Sequence, residues 1–142
     1  MTSSAYGEGD RIPVIHTCEG EDLSPDYALA DLPAGIVSIV LTMDDPDAPG
    51  GTWDHWVEFD IAPMSEIPEG ATELGTMGSN SWDTLGYRGP CPPPGDAHRY
   101  VVTVYAVDGL LALDEGATKA AVLSAIEGRI LATGQLLGEF SR

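Results

Sequence analysis

The stretch from Ile36 to Ile61 most restricts what this chain can fold into. Ile36–Met43 (I-V-S-I-V-L-T-M) is apolar on both alternating faces, the pattern of a strand buried on each side in the middle of a sheet. It leads into D-D-P-D-A-P-G-G-T-W, a tight corner dense in Pro, Gly and Asp, and the chain re-enters an alternating run at His55. Period 2 puts His55, Val57, Phe59 and Ile61 on one face and Trp56, Glu58 and Asp60 on the other. Met43–Ile61 gathers more acidic, aromatic and imidazole groups than a plain hairpin loop uses. The sheet is therefore expected to carry something at that corner.

Elsewhere the strand signals dominate. His98–Val107 (H-R-Y-V-V-T-V-Y-A-V) is the strongest, with His98 and Tyr100 on one face and Arg99 on the other. Ile12–Thr17 reads as a first strand whose Pro13 confines it to an edge, and Ile130–Phe140 as a last strand. Ala117–Glu127 is the one clear helix: Ala121, Val122, Ala125 and Ile126 recur at helical spacing and Gly128 stops it. From Ala62 to Ala97 neither period holds. So long an aperiodic connection in a compact domain is usually functional or disordered, and Trp82, Leu85 and Tyr87 argue that it packs. With no internal repeat and no linker, the 142 residues make a single domain, 1–142, mainly β with long loops and one helix near the C-terminus.

The charge narrows the partners. A formal charge of −17 with six basic residues, of which only Lys119 is a lysine, leaves too few cations to neutralise phosphates along a nucleic acid. A surface this acidic suits salt-rich water, where screening shortens the reach of self-repulsion, and so points to a salt-rich source cell. Residues 1–11 show neither a basic n-region nor an apolar h-region, and no apolar run is long enough to span a membrane. The expectations are no signal peptide, no membrane span and a cytoplasmic protein. Cys18 and Cys91 are too few for a disulfide framework. The reading taken is two small buried hydrophobes, with a mutual disulfide, a reactive thiol and metal ligation as alternatives.

His55 and His98 each start a strand just after a Pro/Gly-rich segment, and Asp45 and Asp47 leave another strand. If these strands are neighbours, two imidazoles meet one or two carboxylates and Tyr100 at one end of a sheet. Such a set suits an anion: His and Tyr donate to its oxygens while Asp sets an imidazole tautomer. The Gly/Pro segment Gly89–Gly95 would line the same cavity. His16 lies mid-strand with no polar partner and reads as structural or surface. No pair among Asp45, His55, Cys91 and His98 has compact metal-ligand spacing, so no metal is expected. There is no G-x-S-x-G, although Gly78–Ser81 brings hydroxyls nearby. No phosphate-binding glycine loop precedes the helix.

D-P-D-A-P (Asp45–Pro49), H-W (His55, Trp56), G-Y-R-G-P-C-P-P-P-G (Gly86–Gly95) and H-R-Y (His98–Tyr100), in this order, resemble the phosphatidylethanolamine-binding protein family, which includes the Raf kinase inhibitor protein. The short length and T-C-E-G with Ser24-Pro25 look like its compact bacterial and archaeal branch, over about Ile12–Phe140. The resemblance implies two antiparallel sheets with Greek-key topology. It also implies a small anion pocket at one end of the larger sheet, formed by Asp45, His55, Gly89, Pro90, Pro92, Pro93, His98 and Tyr100, and a cis peptide at Ala48–Pro49. The chain departs from the family at Leu29, where many compact members carry Trp, and in having no gating helix after Phe140. Arg99 points away from the pocket and is assigned to an ion pair.

The expectation is thus a non-enzymatic module binding a phosphoryl or carboxylate anion, without a cofactor and possessing no catalytic residue, and a candidate regulator of kinases or other proteins. A protein partner and a homodimer are left open. The rivals are a hydrolase or transferase using the same His/Asp set, and an interaction scaffold with a vestigial pocket.

Overall fold

The computed structural model describes residues 1–142. Five strands form the larger sheet: β2 (Ser38–Asp45), β3 (Trp53–Ile61), β5 (Thr76–Met77), β6 (His98–Val107) and β7 (Ile130–Phe140). Their order is β5-β3-β2-β6-β7, every pairing antiparallel. β2 and β6 are interior strands, as their two-sided apolar pattern requires, and they run side by side from Ser38↔Val107 to Asp44↔Val101. A two-stranded sheet, β1 (Tyr27–Ala28) with β4 (Glu66–Ile67), covers one face. The helix α1 (Lys119–Ile126), capped by the Thr118 hydroxyl accepting from the Ala121 N–H, covers the other. The fold is mainly β, with two antiparallel sheets and one helix near the C-terminus.

Two cores result. Leu41, Met43, Trp56, Ile61, Tyr100, Val102 and Phe140 pack under the small sheet with Tyr6, Ile12, Tyr27 and Ile67. Val40, Val57, Phe59, Val107 and Leu111 pack under the helix with Val122 and Ile126. The expected file of His55, Val57, Phe59 and Ile61 is therefore divided, because β3 is irregular at both ends. Asp60 takes a left-handed φ of 54°, and the register jumps between Ile39↔Ile61 and Leu41↔Glu58. Ile61 is thereby turned to the small-sheet side. At the other end Met43↔Trp56 is followed by Asp44↔Asp54, leaving His55 as the extra residue of a bulge. Bulges re-aim side chains in this way: Asp54 stays on the helix side, and His55 joins the face that holds Trp56 and Tyr100.

Three further expectations are corrected. Ile12–Thr17 is not a strand. Val14–His16 forms a 3-10 turn after Pro13, whose φ is −60°, and it is closed by the Thr17 backbone and hydroxyl both donating to the Val14 carbonyl. Ala48–Pro49 is trans, as is every peptide bond. The corner turns instead through Gly50 and Gly51, with φ of 88° and 123°, values that glycine tolerates best, and through the Asp47 N–H donating to Asp45 Oδ1 at 2.8 Å. Cys18 and Cys91, expected as separate buried hydrophobes, are exposed and joined in a disulfide, with Cα atoms 5.4 Å apart. The Cys18 N–H donates to the Pro90 carbonyl, which brings the two loops together.

Candidate functional site

The bulge at His55 and the end of β2 bring the chemistry to one edge of the small-sheet face. Asp45 ends β2, His55 sits near the start of β3 and His98 begins β6. They line a cleft of about 270 Å³ together with Ala48, Pro49, Trp53, Trp82, Cys91, Pro92 and Pro93. Hydrophobic residues make up most of the lining of a second groove beside Leu29 and Ala132, but that groove holds no imidazole and lies away from these residues.

Of the residues expected to form the pocket, Asp45, His55, Pro92, Pro93 and His98 line the cleft, while Gly89, Pro90 and Tyr100 stand behind it. Gly89 packs so tightly that a Cβ there would meet the His16 carbonyl oxygen at 2.2 Å, and its N–H donates to Asp22 at 2.7 Å. Its part is to let the loop close. Pro90 is buried and gives its carbonyl to Cys18. The Tyr100 ring meets His55 edge-on, 5.2 Å between centroids. Its hydroxyl is buried without a hydrogen-bond partner of good geometry. Burial, then the Asp45 carboxylate, push its pKa well above the usual phenol range, so it stays a neutral O–H.

Each imidazole is held through Nδ1. His98 Nδ1 is 2.7 Å from Asp45 Oδ2, and Asp45 itself is buried, 3% exposed. His55 Nδ1 is 2.6 Å from the Arg88 carbonyl oxygen. A carbonyl only accepts, so that nitrogen carries the proton. Burial lowers the His55 pKa against the opposing pull of the Arg88 carbonyl and the Asp45 charge, which keeps the ring neutral near pH 7. Neither Nε2 has a protein partner, and neither is sealed from solvent; both rings border the cleft.

The cleft also has an aromatic wall that was not expected from the sequence. Trp82 meets His55 and Trp53 edge-on at 4.9 and 5.4 Å, and the Arg88 guanidinium lies 4.7 Å over its ring. Alternation places Trp53 two residues from His55, which is a signal for that half of the wall. For Trp82, in an aperiodic loop, no spacing rule points to the cleft. Arg99 forms the assigned ion pair, 2.7 Å from Asp47. His16 is buried and structural, its Nδ1 2.9 Å from the Leu23 carbonyl. No group of three His, Cys, Asp or Glu side chains is arranged to hold a metal ion, and no helix is long and apolar enough to cross a membrane.

The fold and cleft define a small β-sheet protein with a His- and Asp-lined pocket at a sheet end. A family model described as phosphatidylethanolamine-binding protein matches residues 2–141, and the chain belongs to that family. Relatives occur in archaea and bacteria. A UPF0098 protein of Methanothermobacter thermautotrophicus is 42% identical, covering 100% of this chain and 98% of its own. Among solved structures, a phosphatidylethanolamine-binding protein homologue from Chlamydia trachomatis is 37% identical with a TM-score of 0.94, covering 99% of this chain and 95% of its own. YbcL of E. coli, described as a new member of the mammalian family, is 28% identical with a TM-score of 0.92, covering 99% and 96%.

Proposed function

We propose that the protein is a non-enzymatic module that binds a small anion, a phosphoryl or carboxylate group, in the cleft between the Asp45 corner and Pro92–Pro93. One observation carries this: two imidazoles are each anchored through Nδ1, and each leaves Nε2 free at the same cleft. Membership of a family of ligand-binding proteins is consistent with it. The lining supports binding over covalent catalysis. It contains no Ser, Thr or Tyr hydroxyl, and its one cysteine is consumed in a disulfide. The test is a titration with inorganic phosphate, acetate and O-phosphorylethanolamine against wild type, His55→Ala and His98→Ala. Saturable binding weakened about tenfold or more in both variants is expected, since each loses a charge-assisted or direct contact. Equal affinity in all three proteins would refute the site.

A hydrolase is the second reading, because a buried Asp behind a His is also how a general base is oriented. Turnover of esters or phosphoesters above background, lost in His98→Ala, would replace the binding proposal. A partner protein, kinase or other, would on the binding reading sense the occupied cleft. Pull-downs indifferent to both histidine variants would favour a scaffold instead. The same proposal includes a salt-rich cytoplasm as the working environment, motivated by the charge of −17. It expects a thermal midpoint that rises between 0.1 and 2 M KCl, about the range in which screening removes the remaining repulsion, and a flat profile would remove that part.

A further inference from the structure

The hydrogen-bond directions in the cleft conflict with simple anion binding, and the conflict says how an anion gets in. His55 Nδ1 must carry its proton, because its partner is a carbonyl oxygen. His98 Nδ1 faces a carboxylate oxygen and carries one for the same reason. In a neutral imidazole the second nitrogen is then a bare acceptor. With both rings neutral the cleft offers two lone pairs, and the one remaining ionised side chain in its lining is Asp45. No Lys or Arg lines it. Arg88 is laid over Trp82, Arg99 is bound to Asp47, and the side chain of Arg142 is tied to the Pro92 carbonyl. In that state the cleft repels anions.

We infer, on the basis of the anion-binding reading above, that the anion enters together with one proton, held at Nε2 of His98. The proton comes from solvent or from the ligand's own hydroxyl. Its arrival converts Nε2 from acceptor to N–H donor, turns the lining from net negative to neutral, and adds a charge-assisted hydrogen bond to the anion. His98 is the ring with a carboxylate in contact and is the more open of the two, its side chain 12% exposed. It is faced by Asp45 on β2, by Asp47 across the corner, by Arg99 next to it and by Phe140 opposite on β7. His55 is faced by Asp45, Asp22, the Arg88 and Gly89 backbone and the rings of Trp82 and Tyr100. Burial holds it neutral, so its Nε2 remains an acceptor. A protonated His98 beside a neutral His55 gives one donor and one acceptor, a pair that suits an oxyacid retaining one hydroxyl, such as a phosphate monoester monoanion.

The test is isothermal titration of the whole protein with sulfate and with phosphate, from pH 5.5 to 8.5, in buffers that differ in ionisation enthalpy. Sulfate has no proton to lose in this range, so the buffer dependence counts uptake by the protein directly. The expected result is uptake of about one proton per sulfate at pH 8, with affinity falling about tenfold per pH unit on the alkaline side. Phosphate should bind about tenfold more tightly than sulfate, from the hydroxyl it can give to His55. Asp45→Asn, with its fold checked by near-UV circular dichroism, should move the whole profile to lower pH; should it not fold, the wild-type count still decides. Binding without proton uptake and without a pH slope would overturn the proton-coupled entry while leaving the anion site intact. No binding of either anion at any pH would overturn the anion site itself.

Discussion

Asp44 and Asp45 are consecutive residues on β2, yet they end on opposite faces of the sheet in opposite electrostatic situations. On the helix face, Asp44 and Asp54 close on Lys119 Nζ at 2.6 and 2.5 Å, a fixed cation supplied by α1. On the other face, Asp45 closes on His98 at 2.7 Å, a cation only when protonated. The first cluster ties two partly buried carboxylates to one lysine. The second leaves imidazole nitrogens unpaired beside a cavity. The same acidic dipeptide therefore yields a structural clasp on one side and a site on the other. The difference lies in whether the partner's charge is permanent.

Opening the Cys18–Cys91 bond should have the largest effect and should fall on the cleft side. The bond links positions 73 residues apart, and releasing a loop of that size costs about 4 kcal/mol by chain entropy. Cys18→Ser/Cys91→Ser should lower the denaturation midpoint accordingly. It should also weaken phosphate binding, because Cys91 lies in the wall between Pro90 and Pro92. A protein as stable as wild type would show that the loops are held by other contacts.

Lys119→Met breaks the opposite cluster. Two partly buried carboxylates lose their only cation, at an expected cost of about 2–3 kcal/mol, read by urea unfolding, with phosphate affinity unchanged. The pH dependence has a definite sign. Burial opposes the Lys119 charge, but Asp44 and Asp54 outweigh it and raise the pKa. The clasp is therefore at full strength below the unfolded lysine value of about 10.4 and is lost as pH climbs through the folded one. Loss of phosphate binding in this variant would mean that the two faces are not independent.

Trp82→Ala sharpens the comparison within the cleft. It removes edge contacts to His55 and Trp53 and the seat of Arg88, at about 1 kcal/mol of stability. Binding should weaken as the His55 ring loses its support. The smallest effect belongs to Asp47→Asn. Arg99, by side chain and then backbone N–H, holds the Asp47 carboxyl far below the usual carboxylate range. That pair adds stability above the unfolded value of about 3.9 and loses it as pH falls, but solvent screens it. Melting at pH 7 should scarcely change, and a large drop would give the corner's outer ion pair a structural weight it lacks here.

How much of this was legible follows the regularity of the backbone. β6, β7 and the interior position of β2 could be read from period and composition, because long regular strands obey both. The faces of β3 could not: the bulge at His55 and the left-handed Asp60 each reverse the alternation, and neither leaves a mark in residue type. Asp45, His55 and His98 were assembled from strand ends and family motifs, but the layer behind them was not separated from the lining. Gly89, Pro90 and Tyr100 carry the same motif weight as Pro92 and Pro93, and only packing distinguishes the two sets. The disulfide had no sequence signal, since a separation of 73 positions says nothing about two loops that meet through Pro90.

The most direct test of the account uses the three histidines as their own control. Phosphate is titrated at pH 6.5 while the imidazole nitrogens are followed by NMR. Nε2 of His98 and His55 should shift together and saturate, while His16, buried against the Leu23 carbonyl, stays still. Static signals from His98 and His55, or a His16 shift of equal size, would contradict it.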